Sequence, residues 1–363
     1  MSNERKVGVK AYLPLQLDLL MIAIDFIEAS AILVKDKPFL GNLEWCSAYN
    51  NGTEKYWLKG CRNVEILWNE SSCTLILRGS IMYYMQGHNF TFDKPTFVQG
   101  INLIGNLLHL DLWNIGMIVN IFESGAIVEA DKPPKDIIGH TREGKGMWID
   151  ENPKDKQRGT CRSYNDSNVY RKFYDAGRNI QHKQGTSMKQ VIEKCGWNPE
   201  GYYLKFEAKY LKPQNIFNSG VGLTLSDLVN PQREAQFQTD LYSQYKKLIP
   251  MKTLVWPTEK ADLSTTDFFA MELVENLLNE GKTIEEARKI VYARINASAG
   301  LSPTDKDARK RNVKKVFDKM QLSEESEWDI SKELHKVIFD EEEGAGTDES
   351  KEDESSEEEG AEK

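Results

Sequence analysis

Residues 201–211, reading GYYLKFEAKYL, alternate in character with a period of two. Leu204, Phe206 and Ala208 fall on one face; Tyr203, Lys205, Glu207 and Lys209 fall on the other. Successive strand side chains point to opposite faces, so this segment belongs in a sheet with one face against a core. Its other face then carries a carboxylate between two lysines. An acid so placed is either salt-bridged or a ligand to a hard divalent metal.

The neighbouring segments extend this reading to an α+β chain. Cys73–Tyr84 (CTLILRGSIMYY) is β-rich and predicts a strand, turned by Gly87-His88-Asn89. Pro95 opens a helix with apolar Phe97, Ile101, Ile104, Leu107 and Leu108. Trp113–Val128 predicts a long apolar strand interrupted by Glu123, and Val169–Tyr174 a short one. Residues 37–70 suit short strands and loops, and 132–168 a long loop or two edge strands. Short helices are expected over Ser187–Cys195 and Thr224–Val229. Beyond about residue 260 the pattern turns helical, over 264–280, 283–297 and 303–320, with a weaker helix over 323–340. Thr283 and Glu286 have capping-box spacing, and Ser302-Pro303 is a cap with proline at the first helical position. The expected organisation is an antiparallel-rich α+β domain over 1–245, a helical domain over 246–340 and a tail over 341–363.

Charge separates the tail from the rest. The whole chain carries −9, but Glu341–Lys363 holds twelve acids and two lysines. Residues 1–340 are therefore near +1. The tail lacks core-forming side chains and is expected to be disordered, as a solubility device or as a polyanion that shields a basic face. Between Lys132 and Cys195, fourteen Lys or Arg outnumber eight acids. The segment after Pro303 adds Lys306, Arg309, Lys310, Arg311, Lys314 and Lys315. Either set is suited to phosphate contacts or to an ordinary solvated face. The best apolar run, Leu15–Val34, contains Asp18, Asp25 and Glu28, which argues against a membrane span. Five dispersed cysteines without a C-x-x-C point to reduced thiols in a cytoplasmic protein and away from zinc.

Residues 170–178 (YRKFYDAGR) set Tyr170 and Tyr174 among Arg171, Lys172 and Arg178. Neighbouring cations ease phenol deprotonation and bind phosphodiesters. A phenolic nucleophile, a carboxylate-held Mg²⁺ or Mn²⁺ and a basic surface would together make a phosphoryl-transfer site.

Over about residues 70–230 the chain resembles the gene II / gene X replication-initiation proteins of filamentous phages and related plasmids. The likeness lies in the order of segments: Gln86–Asn89 after a strand, the helix Pro95–Leu110, the strand Ile118–Val128, Val169–Arg178, Leu204–Lys209 and Leu223–Leu228. The resemblance implies a rolling-circle initiator in a bacterial host cell. Such a protein nicks one strand of origin DNA, keeps the 5′ phosphate as a tyrosyl ester and later rejoins the single strand. It implies Tyr174 as nucleophile, with Tyr170 the alternative. Glu123, Glu207 and His88 would serve a divalent metal. Arg171, Lys172, Arg178, Lys205 and Lys209 would touch DNA phosphates. A host helicase or single-strand-binding protein would be the partner, with no membrane role. Two motifs depart from the family. Where it reads Arg-x-Asp, this chain has Asn120-Ile121-Phe122-Glu123; where it reads Tyr-x-Lys-x-x-Glu, this chain has Tyr174-Asp175-Ala176-Gly177-Arg178-Asn179. A non-catalytic sequence-specific DNA-binding protein and an acidic-tailed interaction protein are the alternatives. The catalytic reading requires Tyr174, Glu123 and Glu207 to meet on one face of a sheet.

Overall fold

A computed structural model describes residues 23–34, 37–90, 92–150, 159–179, 197–198, 200–217, 222–256, 264–280 and 282–339. The helix expected over Ser187–Cys195 and the acidic tail lie outside them. The fold is α+β, built on one ten-stranded antiparallel sheet.

The first strand, β1 (Ala23–Ile32), lies in the middle of the sheet. A meander of β2 (Leu43–Ala48), β3 (Thr53–Leu58), β4 (Cys61–Asn69) and β5 (Thr74–Gly79) follows on one side. Two helices, α1 (Ile81–Gln86) and α2 (Lys94–Leu108), then carry the chain to β6 (Ile118–Ala130), on the other side of β1. Helix α3 (Pro134–Gly139) and the short β7 (Thr141–Arg142) lead to β8 (Trp148–Asp150), β9 (Cys161–Asn165), β10 (Val169–Asp175) and β11 (Tyr202–Tyr210). The sheet order is β2-β3-β4-β5-β1-β6-β11-β10-β9-β8. The alternating segment thus pairs with β6 on one edge and β10 on the other.

After β11 come the single turn α4 (Pro213–Ile216), a 3₁₀ turn over Ser226–Val229 and α5 (Pro231–Lys246). Helix α5 has Asn230 as N-cap and Pro231 in its first turn, signals that the sequence reading passed over. It covers one face of the sheet. Phe237 packs on Phe122, and Tyr245 meets Phe173 and Phe206 edge-on.

The chain continues through β12 (Ile249–Pro250), which pairs with β7, and β13 (Leu254–Val255). Helices α6 (Thr265–Asn279), α7 (Ile284–Ala297) and α8 (Pro303–Phe317) enclose a small separate core of Met271, Val274, Leu277, Leu278, Ala287 and Phe317. Strand β14 (Gln321–Leu322) pairs with β13 beside it. The Thr283–Glu286 capping box and the Ser302 cap both form. Helix α9 (Ser331–Phe339) returns to the large sheet, where Leu334 and Ile338 join the main core. Tyr245 donates its hydroxyl to Asp329 at 3.0 Å, fixing the approach to α9.

Three predicted elements take a different form. The strand expected over Cys73–Tyr84 ends at Gly79, and Ser80 caps α1 by accepting the Tyr83 backbone N–H. The strand expected from Trp113 begins at Ile118, because Asp111 accepts the N–H groups of Trp113 and Asn114 and holds the chain in a turn. At Thr224–Val229 a 3₁₀ turn replaces a helix: Asp227 accepts both the backbone N–H and the hydroxyl of Thr224.

Candidate functional site

Strand alternation and α5 together decide what faces the site. On the α5 side Arg171 is fully buried. It donates to Gln244 Oε1 through Nε at 3.1 Å and through Nη2 at 2.5 Å, and to Asp166 Oδ2 at 2.6 Å. Lys172, Tyr174, Lys205, Glu207 and Lys209 are thereby turned to the opposite face. There they meet Glu123 of β6 and Asp25 of β1.

A β-bulge adds Asp25. On β1, Ile24 pairs with Ser124 and Phe26 with Glu123, so Asp25 is the extra residue between two paired neighbours. In an unbroken strand Asp25 and Phe26 would face opposite sides. Here both line the same cleft, a re-aiming of side chains that bulges bring about. Gly125 of β6 lies beneath. A Cβ there would stand 2.9 Å from Glu207 Cγ and 3.2 Å from Asp25 Oδ2, so only glycine leaves room for the two carboxyl groups to sit together.

The polar groups form one connected network. Tyr174 donates its hydroxyl to Glu207 Oε1 at 2.6 Å. Lys205 Nζ lies 2.6 Å from Asp25 Oδ2 and 3.2 Å from Glu207 Oε1, and donates to the Asn89 carbonyl at 3.3 Å. Lys172 Nζ lies 3.3 Å from Glu123 Oε1 and 4.0 Å from Glu207 Oε2. Lys209 Nζ completes the set 3.1 Å from Glu123 Oε1, over the Phe26 ring.

Burial and neighbouring charge set the protonation states. Burial works to raise Glu207, but Lys205 and Lys172 outweigh it, aided by the Tyr174 hydrogen bond, and hold the carboxylate down at about 2. Burial holds Asp25 well above the usual carboxylate range; Lys205 opposes this and Glu207 reinforces it. Tyr174 is held well above an ordinary phenol, first by burial and then by the charges of Glu207 and Asp25. This reverses the expectation that cations in residues 170–178 would ease its deprotonation. The charge nearest the phenol is a carboxylate, because the flanking lysines are themselves paired to acids. Burial lowers both lysines, but Lys172 ends up raised through Glu123 and Glu207, and Lys205 through Asp25 and Glu207. Three carboxyl groups, Asp25, Glu123 and Glu207, thus meet three ammonium groups, with burial opposing the charge on Asp25.

The network floors a cleft of about 710 Å³. Arg62, Arg78, Lys172 and Arg178 line it, together with Tyr83, Asn89 and Cys161. Arg78 is partly engaged, donating to Glu65 Oε2 at 3.0 and 2.7 Å. Tyr174, Glu123 and Glu207, the three residues required to converge, all line this cleft.

The other expected residues divide. Lys172 and Arg178 reach the cleft. Lys209 is held against Glu123 at its edge. Tyr170 stands in register with Lys209, two residues before Lys172, and does not line the cleft. His88 lies in the turn before Asn89, its ring tilted against Phe90, and its side chain is not part of the cleft wall either. Arg171 and Lys205 are corrected as phosphate contacts. Arg171 is buried on the wrong face, and Lys205, 2% exposed, is engaged within the protein. Asp25, Tyr83, Arg62 and Arg78 were not foreseen. Asp25 did leave one signal, as one of three acids in the apolar run Leu15–Val34.

The same geometry bears on a divalent metal. Among the described residues no group of three or more His, Cys, Asp or Glu is arranged to hold a metal ion. Glu123 faces two lysines, and Lys205 stands between Asp25 and Glu207. The donor set as arranged does not fit a metal. Among the described residues no helix is long and apolar enough to cross a membrane, and Cys46, Cys61 and Cys73 are free thiols.

No protein-family model matches the chain, and no curated protein matches it in sequence.

Proposed function

We propose that the cleft nicks and rejoins single-stranded DNA through Tyr174, the chemistry of a rolling-circle replication initiator. The observation that carries this reading is the 2.6 Å hydrogen bond from the Tyr174 phenol to Glu207, on the floor of a cleft with Lys172 and Arg178 in its wall. A nucleophile in contact with a base, beside cations for a phosphate, is the minimum for phosphodiester transfer. The ordered likeness to gene II / gene X proteins supports the same substrate.

In the resting protein the phenol is protonated and Glu207 is a weak base. A DNA phosphate that engages Lys172 competes with Glu207 for that cation, which raises the proton affinity of Glu207. The phenol proton then passes to Glu207 while Tyr174 Oη forms a bond to phosphorus. The P–O3′ bond breaks, and the leaving 3′ oxygen takes a proton from water. Rejoining is the reverse, with a 3′ hydroxyl attacking the tyrosyl ester and Glu207 returning the proton to Tyr174.

The test is a denaturing gel of the full chain with random-sequence single-stranded oligonucleotides labelled at the 3′ end, in Mg²⁺ and Mn²⁺. The expected result is a covalent protein–DNA band that Tyr174→Phe lacks while still binding the oligonucleotides. A band of equal yield from Tyr174→Phe overturns the assignment. The buried, protonated state of Tyr174 favours a second reading, a DNA-binding module without catalysis. That reading predicts salt-dependent binding and no covalent band.

A further inference from the structure

The ammonium of Lys205 lies among three oxygens from three parts of the chain: Asp25 Oδ2 at 2.6 Å, Glu207 Oε1 at 3.2 Å and the Asn89 carbonyl at 3.3 Å. The contact to the Asn89 carbonyl is a hydrogen bond, and those to Asp25 and Glu207 are ion pairs, Asp25 Oδ2 meeting the charge without hydrogen-bond geometry. Two of the three distances suit N–H···O contacts and exceed the roughly 2.0–2.6 Å at which Mg²⁺ or Ca²⁺ holds its oxygens. The place between the two carboxyl groups is therefore already filled by a cation of the chain. The bulge at Asp25 and the missing side chain at Gly125 bring the two carboxyl groups to that cation.

We infer that Lys205 is a built-in cation standing where a divalent metal would otherwise bridge Asp25 and Glu207, so that the cleft acts on a phosphodiester without a bound metal. Lys205 does not touch the substrate. It is a positioning residue that holds Glu207 against Tyr174 and neutralises the floor on which the phosphate settles. The catalytic half of this inference rests on the strand-transfer reading; the claim about the cation does not.

The two halves are tested separately. Manganese binding to the full chain without DNA is followed by the electron paramagnetic resonance signal of free Mn²⁺. The wild type and Lys205→Arg are expected to leave that signal unchanged. Lys205→Ala, which empties the place between the carboxyl groups, is expected to gain Mn²⁺ binding that Lys205→Ala/Glu207→Gln loses. Circular dichroism spectra matching the wild type establish that each variant is folded. Wild-type Mn²⁺ binding that Glu207→Gln abolishes overturns the inference. In the second arm the covalent band is measured in EDTA, where the wild type is expected to keep its yield. A band abolished by EDTA and restored by Mn²⁺ overturns metal independence. If no band forms under any condition, the strand-transfer reading fails, and the manganese measurement still decides the role of Lys205.

Discussion

Tyr174 and Glu207 belong to adjacent antiparallel strands, yet they are not directly opposed: Tyr174 is in register with Lys205 and Lys172 with Glu207. The 2.6 Å hydrogen bond from the phenol to Glu207 therefore runs diagonally across the strand pair. A diagonal neighbour is within reach of a long side chain such as tyrosine. One carboxylate thus joins the phenol of one diagonal, the lysine directly opposite and the lysine two residues before it on its own strand.

That shared position makes Glu207 costly to neutralise. Glu207→Gln leaves Lys205, itself buried, without its second carboxylate, and removing one partner of a buried ion pair typically costs about 3 kcal/mol. Asp25→Asn removes a carboxyl group whose ionisation burial opposes, and is expected to cost less at pH 7 than Glu207→Gln. Urea denaturation of the two variants, with the wild type as reference, measures the contrast. Equal losses would show that Asp25 carries as much charge as Glu207.

The acid limb of stability follows from the same carboxylate. The folded value of Glu207 is depressed, from an ordinary 4.5 to about 2, so its contribution is present above 4.5 and is lost as pH falls toward about 2. Asp25 is raised, so its contribution has the opposite sign: it is present at low pH and lost as pH rises through the folded value. Thermal melts of the wild type between pH 5 and 2 should fall more steeply than those of Glu207→Gln. Asp25→Asn should leave that limb in place.

Gly125→Ala tests the close approach beneath the two carboxyl groups. The added methyl would meet the Phe206 carbonyl oxygen and Glu207 Cγ, each at 2.9 Å. Overpacking of this kind costs about 1–3 kcal/mol. It should also shift Glu207 away from Tyr174, so the covalent band should fall further than the stability loss alone would cause. Comparison of band yield at a temperature where both chains are fully folded separates the two effects.

Arg171 and Arg178 are seven residues apart and should behave as opposites. Arg171→Met removes the guanidinium bonds to Gln244 and Asp166, leaving Asp166 its backbone N–H partners and Gln244 its bond from Lys247, and is expected to cost about 2 kcal/mol of stability, with little change in the salt dependence of DNA binding. Arg178→Ala removes an exposed cation lining the cleft. It should leave stability unchanged and lower the slope of log K against log salt by about 0.7 for single strands. Fluorescence anisotropy titrations at several salt concentrations supply the slopes.

Local pattern made much of this legible in advance. The period of two in residues 201–211 separated core from charge correctly, since Phe206 packs against Tyr245 of α5, Tyr210 against Phe217, and Glu207 faces the cleft. The helix caps at Thr283 and Ser302 formed as read, because a cap needs only the few residues that contain it. Arg171 was misread beside Lys172 for the same local reason. Adjacent cations look equivalent in a string, and only the sheet's two faces distinguish them.

By itself, then, the sequence determined the strands at Val169–Asp175 and Tyr202–Tyr210 and where Tyr174 and Glu207 fall, because these follow from backbone periodicity, whereas the central strand β1 stood in it only as an apolar run. Tertiary structure decided the rest. A bulge turned Asp25 into the cleft, α5 claimed one face of the sheet, and Gly125 let two carboxyl groups close around Lys205. Those are contacts between residues far apart in the chain. They also reversed the electrostatics around Tyr174, since protonation states depend on burial and on partners contributed by other strands.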